Sequence, residues 1–189
     1  MNSSDTHAAL VVMGRSNGAH SIPLRVTMVV FQPLGDKVNP RNATLDISPE
    51  VENEHYRQYP VCRAVVNSLL EGASSGDFYY WAKKKVELTE VVPRIKEFIK
   101  KHNIKLVWVD DWRVKPNLDN VFTLCKKSDD DSDSIPVRDF NGVDTLMSES
   151  GLDLHDKDYA TGIDNVPHPV LEAITLAEKV QYVYQTLFA

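Results

Sequence analysis

Residues 8–31 read AALVVMGRSNGAHSIPLRVTMVVF, two apolar, β-branched runs around a polar loop that contains Asn17-Gly18. β-Branched residues pack well on a pleated surface and a glycine-bearing loop lets the chain reverse, so the stretch predicts an antiparallel hairpin. The second run passes straight into the turn Gln32-Pro33-Leu34-Gly35-Asp36, and a third run, ATLDIS at 43–48, follows. Three such runs predict a three-stranded antiparallel meander at the start of the chain. The first run ends in Val11, Val12 and Met13, which are apolar where a site built on the sheet would carry its chemistry.

From Pro60 the period changes. Val61, Val65, Val66, Leu69 and Leu70 recur on one face of a helix that Gly72 closes. The segment SSGDFYYWAKKKV carries the aromatic cluster Phe78, Tyr79, Tyr80 and Trp81, a pattern that serves as core, as hinge or as a platform for stacked bases. LTEVVPRIKEFIKKHN sets Leu88, Val91, Val92, Ile95, Phe98 and Ile99 at helical spacing, with Thr89 as cap and Pro93 in the first turn. IKLVWVDD at 104–111 has the look of a central strand buried on both faces and ending in two carboxylates. NLDNVFTLCKK follows as a helix, and the SDDDSDS run reads as a solvated loop before it reads as a nucleic-acid-mimicking surface. The tail places Val170, Leu171, Ile174, Leu176, Ala177, Val180, Val183, Tyr184 and Leu187 along a closing helix, with His168 before it and Pro169 in its first turn. This order implies an α/β layered domain with a mixed sheet, a single unit over 1–189, with 1–7 flexible and 128–134 an acidic loop.

The net charge of −6 argues against a wide basic face for nucleic acid, although a local groove fits within that total. Cys62 and Cys125 are far apart and lack a CxxC spacing, which suggests neither a disulfide framework nor a zinc site. The N-terminus MNSSDTH lacks the basic and apolar regions of a signal peptide, and no run has the ~18 apolar residues of a membrane helix. The expectation is a soluble protein of the cytoplasm with no membrane contact.

Four fragments, in order, resemble the 3′-to-5′ exonucleases of the DEDD superfamily, and in particular their exonuclease VIII-like branch of phages and prophages. They are VTMVVFQPLGD, YYWAKKK, VWVDDWRVKPNLDNVFTL and PHPVLEAITLAEKV, spanning nearly the whole chain. The resemblance implies a ribonuclease H-like fold, with helices on both faces of the mixed sheet. It also implies two divalent metals about 4 Å apart, held by four carboxylates from different elements around the scissile phosphate. Two of those come from a D-x-E pair, because residues two apart on a strand share a face.

Carried over position by position, the D-x-E pair falls on Val11 and Met13, and the carboxylate of the closing helix on Ala173. Three of the four metal-binding carboxylates are therefore absent. The fourth falls on Asp119, within Asn117-Leu118-Asp119-Asn120, and the subgroup's general-base histidine falls on His168. Asp110, Asp111 and Glu172 are the remaining carboxylates that bring charge near such a site, although Glu172 is about 100° of helix rotation from position 173.

The sequence thus points to a phage-encoded, catalytically inactive exonuclease-like protein that binds a host protein, a nuclease or defence factor, or else a nucleic-acid end. The alternative is a residual exonuclease on single-stranded DNA or RNA, and only that alternative calls for a cofactor, Mg²⁺ or Mn²⁺. Tyr79, Tyr80, Trp81, Lys83, Lys84 and Trp112 are the candidate binding residues, and self-association through the exposed aromatics is a third reading.

Overall fold

The computed structural model describes residues 5–14, 23–39, 41–50, 84–111, 114, 136–151, 154, 159, 166 and 168–188. In chain order the described elements are β1 (Thr6–Gly14), β2 (Pro23–Phe31), β3 (Thr44–Glu50), β4 (Lys85–Glu87), a 3₁₀ turn (Leu88–Glu90) and α1 (Val91–Lys101). They continue with β5 (Ile104–Val109), β6 (Val137–Asp139), α2 (Asn141–Glu149) and α3 (His168–Phe188). One sheet carries the strands in the order β4-β3-β2-β1-β5-β6. β1, β2 and β3 form the antiparallel meander, while β5 adds parallel to β1 and β6 parallel to β5. β4 runs parallel to β3 at the other edge.

Strand alternation sorts the apolar residues into two layers. Ala8, Leu10, Val26, Met28, Val107 and Val109 face α1, whose Val91, Val92 and Ile95 cover them. Ala9, Val11, Val29, Phe31 and Trp108 face the opposite way, under Ala173, Ile174, Ala177 and Val180 of α3. A sheet covered on both faces buries the inner parts of its central strands, which is why β5 is apolar from Leu106 to Val109 while Lys105, near its start, is exposed. The small side chains of Ala173 and Ala177 let α3 lie close to β1, and both are fully buried.

α3 is also tied to the turn after β2. Gln181 Nε2 donates to the Gln32 and Asp36 carbonyls at 2.8 and 2.9 Å, and Lys37 lies 3.7 Å from the buried Glu178 carboxylate. Within this turn Gly35 is required, because an added Cβ would stand 2.8 Å from Gln32 Cβ.

Three local expectations change. β1 begins at Thr6, so Thr6 and His7 belong to the sheet and not to a flexible leader; His7 is 2% exposed, packed against Phe31, Trp108 and Tyr184. Thr89 does not cap α1, because the 3₁₀ turn precedes the helix and its hydroxyl lies 3.4 Å from Glu87. β4, β6 and α2 were not anticipated: the two strands are three residues each, too short for a period of two to show. α2 buries only Met147 fully, with Val143 packed in part. The expected helix at 61–70, the aromatic cluster 78–81, the helix of 117–127, the acidic run and both cysteines lie outside the described residues.

Candidate functional site

The three meander strands bring one row of side chains together under α3. The register pairs Val11 with Thr27 and Thr27 with Asp46, and Met13 stands opposite Arg25. Cross-strand partners share a face, so Val11, Thr27 and Asp46 form one line and Met13 and Arg25 the next. Arg25 binds Asp46 through two hydrogen bonds, Nε to Oδ1 at 2.8 Å and Nη2 to Oδ2 at 2.7 Å. The Thr27 hydroxyl donates to the same carboxylate at 2.9 Å. Fork-to-fork geometry of this kind is the strongest form of side-chain ion pair, and here the guanidinium is nearly sealed, with Arg25 2% exposed. Val11, at 9% exposure, and Ala173 belong to one apolar cluster above this row.

Two clefts flank the first turns of α3. The larger, about 410 Å³, is lined by Thr44, Leu45, Asp46 and Ile47 of β3 together with Lys84, Val166 and Val170. The smaller, about 220 Å³, lies between the end of β5 and the outer side of α3, where Asp110 faces His168, Leu171, Glu172, Thr175, Leu176 and Lys179. Asp110 follows Trp108 by two residues and so keeps to the α3 side of the sheet. Burial by the surrounding protein raises the Asp110 carboxyl above its ordinary value; its own backbone hydrogen bond and Lys179 oppose that, while Asp111 and Asp139 add to it. Asn141 donates to the Asp110 carbonyl from the start of α2, which fixes the strand end. His168 is the first residue of α3, and its Nδ1 lies 3.2 Å from Glu172 Oε1, one turn on.

The structure therefore places Val11, Met13 and Ala173 in one apolar cluster between the sheet and α3, and Asp110, His168 and Glu172 around one cleft. Glu172 lines the outer cleft while Ala173 is buried against the sheet, so the acidic side chain and position 173 look in different directions. Asp111 is half-buried and its carbonyl accepts from the Val114 N–H. Lys84 is exposed beside the larger cleft. Asp119, Tyr79, Tyr80, Trp81, Lys83 and Trp112 lie outside the described residues. Arg25, Thr27 and Asp46 were missed by sequence reasoning. The available signal was an arginine and an aspartate on the inward phase of apolar strands, which demands a buried partner, but their pairing needs the register.

Two divalent ions require several oxygen donors that converge on one point. Above this row the donors are absent at 11, 13 and 173, and the Asp46 carboxylate is engaged by Arg25 and Thr27. Among the described residues no group of three or more His, Cys, Asp or Glu is arranged to hold a metal ion. The described residues do not fit the metal pair that the resemblance implies.

No protein-family model matches the sequence, and no curated protein does. Among solved structures the fold is similar to the RNase domain of the yeast Pop2 protein. Identity there is 8% and the TM-score 0.56, over 95% of this chain and 77% of that one. It is similar also to a chain of the structure of the yeast NOT1 MIF4G domain co-crystallized with CAF1. Identity in this case is 10% and the TM-score 0.55, over 95% of this chain and 79% of that one. The chain has the mixed-sheet, ribonuclease H-like fold of that nuclease domain. Neither neighbour supports the exonuclease VIII-like phage branch, since both are yeast proteins.

Proposed function

We propose that this chain is a catalytically inert exonuclease fold that acts by binding. The observation that supports this most directly is the apolar seal between the meander and α3, where Val11 and Ala173 belong to one buried cluster at two of the positions that the resemblance gives to metal-binding carboxylates. Without those carboxylates the scissile phosphate has no metal clamp and the attacking water no activator, and lost positioning alone costs many orders of magnitude in rate. A protein partner is favoured over a nucleic-acid end by the net charge of −6. The neighbouring CAF1 chain, co-crystallized with a NOT1 domain, makes protein binding by this fold a reasonable precedent.

Incubation of the pure protein with end-labelled single-stranded DNA and RNA in Mg²⁺ and in Mn²⁺ tests it. Intact substrate is the expected result. Degradation that disappears in Asp119→Ala or Glu172→Gln would overturn the reading and restore a residual nuclease, with His168 as base beside Glu172.

A further inference from the structure

The seal of Val11 and Ala173 explains why donors are missing, but the row beneath it contains something that a merely eroded site would not. A carboxylate, Asp46, still faces α3 one strand beyond Thr27, and it is held by a buried guanidinium. Arg25 stands directly opposite Met13, the second of the two β1 positions at which the resemblance expects a metal ligand. Side chains directly opposite on antiparallel strands have Cβ atoms about 5 Å apart, so a cation held at 13 would lie within contact distance of the Arg25 stem.

We infer that Arg25 is the resident cation of this site: its guanidinium supplies, from inside the fold, the positive charge that metal ions would otherwise bring, and it keeps divalent cations out. This rests on the reading of the chain as an inert exonuclease fold and deepens it by naming the residue that enforces the metal-free state. Arg25 is always charged and is 2% exposed, and its two bonds to Asp46 fix it in place. A divalent ion placed beside it meets like charge in a medium where such repulsion is several times stronger than in water. Any carboxylate newly set at 13 would find the guanidinium before it found a metal, because that partner is already held in place and has no hydration shell to lose. Absent carboxylates and a present arginine are therefore separate barriers, and putting the carboxylates back removes only one of them.

The test compares Mn²⁺ binding by calorimetry in two variants of the full chain. Val11→Asp/Met13→Glu/Ala173→Asp should bind Mn²⁺ weakly at best, whereas the same variant with Arg25→Met added should bind it at least about 100-fold more tightly. Equal affinity in the two, or a folded fourfold variant as inert as the triple, overturns the inference. Should either variant fail to fold by circular dichroism, Met13→Glu alone carries the test. Its introduced carboxyl, followed by NMR, should titrate below the ordinary glutamate range of about 4.3 and be unmoved by Mn²⁺. A carboxyl that titrates normally, or shifts on addition of Mn²⁺, overturns the inference. Nuclease activity in the unaltered protein would instead overturn the inert-fold reading, so the two failures are distinct.

Discussion

Acid should weaken this fold through one residue, His7. Its ring is 2% exposed, and its Nδ1 accepts a hydrogen bond from the Trp108 indole N–H at 3.1 Å. An acceptor nitrogen carries no proton, so the folded state selects the neutral imidazole. Burial, the larger cause, holds the His7 pKa below its ordinary 6.5, and Asp5, just before the strand, opposes that more weakly. Protonation would leave the indole N–H without its acceptor and place a charge among Phe31, Trp108 and Tyr184. Around that pocket, Tyr184 on α3 is itself held neutral by burial, with Arg138 of β6 opposing and Asp5 reinforcing.

The sign follows from proton counts. Below pH 6.5 the unfolded chain carries a proton on His7 that the folded chain does not, so stability is complete above that pH and falls as pH drops. The loss stops growing once the folded form also takes up the proton. One proton of difference is worth about 1.4 kcal/mol per pH unit, which sets an upper bound of about 2 kcal/mol at pH 5. His102 titrates with a lowered pKa as well, through burial and Lys101, so the contribution of His7 must be isolated by difference. Urea unfolding followed by far-UV circular dichroism at pH 7.5 and 5.0, for the unaltered chain and for His7→Gln, provides that difference. The amide oxygen of the variant can accept from Trp108 without titrating. The unaltered chain should lose up to about 2 kcal/mol more than the variant between the two pH values. Equal losses would refute the assignment of the neutral, accepting imidazole.

Other substitutions test the row beneath α3 and the turn beside it. Asp46→Ala strands the buried Arg25 guanidinium and should cost about 3 kcal/mol in chemical denaturation, whereas Arg25→Met with Asp46→Leu should lie within about 1 kcal/mol of the original. Ala173→Asp places a carboxylate at a fully buried position and should cost at least about 2 kcal/mol at pH 7. Because the introduced carboxyl would have a raised pKa, that penalty, read as the difference from the unaltered chain, should shrink by pH 5. Gly35→Ala drives a Cβ to 2.8 Å from Gln32 Cβ, so the turn must shift from the carbonyl positions that Gln181 binds. A loss of about 1–2 kcal/mol in urea denaturation is expected, and an unchanged midpoint would show that the turn adapts without strain.

The meander, α1, the central strand and α3 were legible because each is long enough for its period to show and each has one answer for where its apolar face goes. β5 could be read as doubly buried from IKLVWV alone, since no polar residue interrupts its inner half. β4 and β6, three residues each, exist only because neighbouring strands hold them, and tertiary pairing leaves no local trace. His7 escaped for a related reason: a polar residue near a chain start reads as solvent-facing until Trp108, 101 positions later, arrives as its donor. The apolar nature of positions 11, 13 and 173 was readable, but their gathering under one helix depends on the sheet order.

The buried ion pair gives those apolar replacements a physical logic. Carboxylates clustered in a site without metal repel one another and resist burial, so a chain that no longer binds metal gains stability by shedding them. Val11 and Ala173 are apolar and lie in the core between the sheet and α3. The Asp46 carboxylate, outside the four positions that the resemblance names, is accommodated beside them because Arg25 and Thr27 satisfy both of its oxygens. On the proposed reading each apolar residue suits a metal-free cleft, and Arg25 turns any single carboxylate placed at 13 into an ion pair in place of a ligand. On the proposed reading, the apolar packing and the buried ion pair both stabilise the inert form, and the surface left over is free to be shaped by whatever it binds.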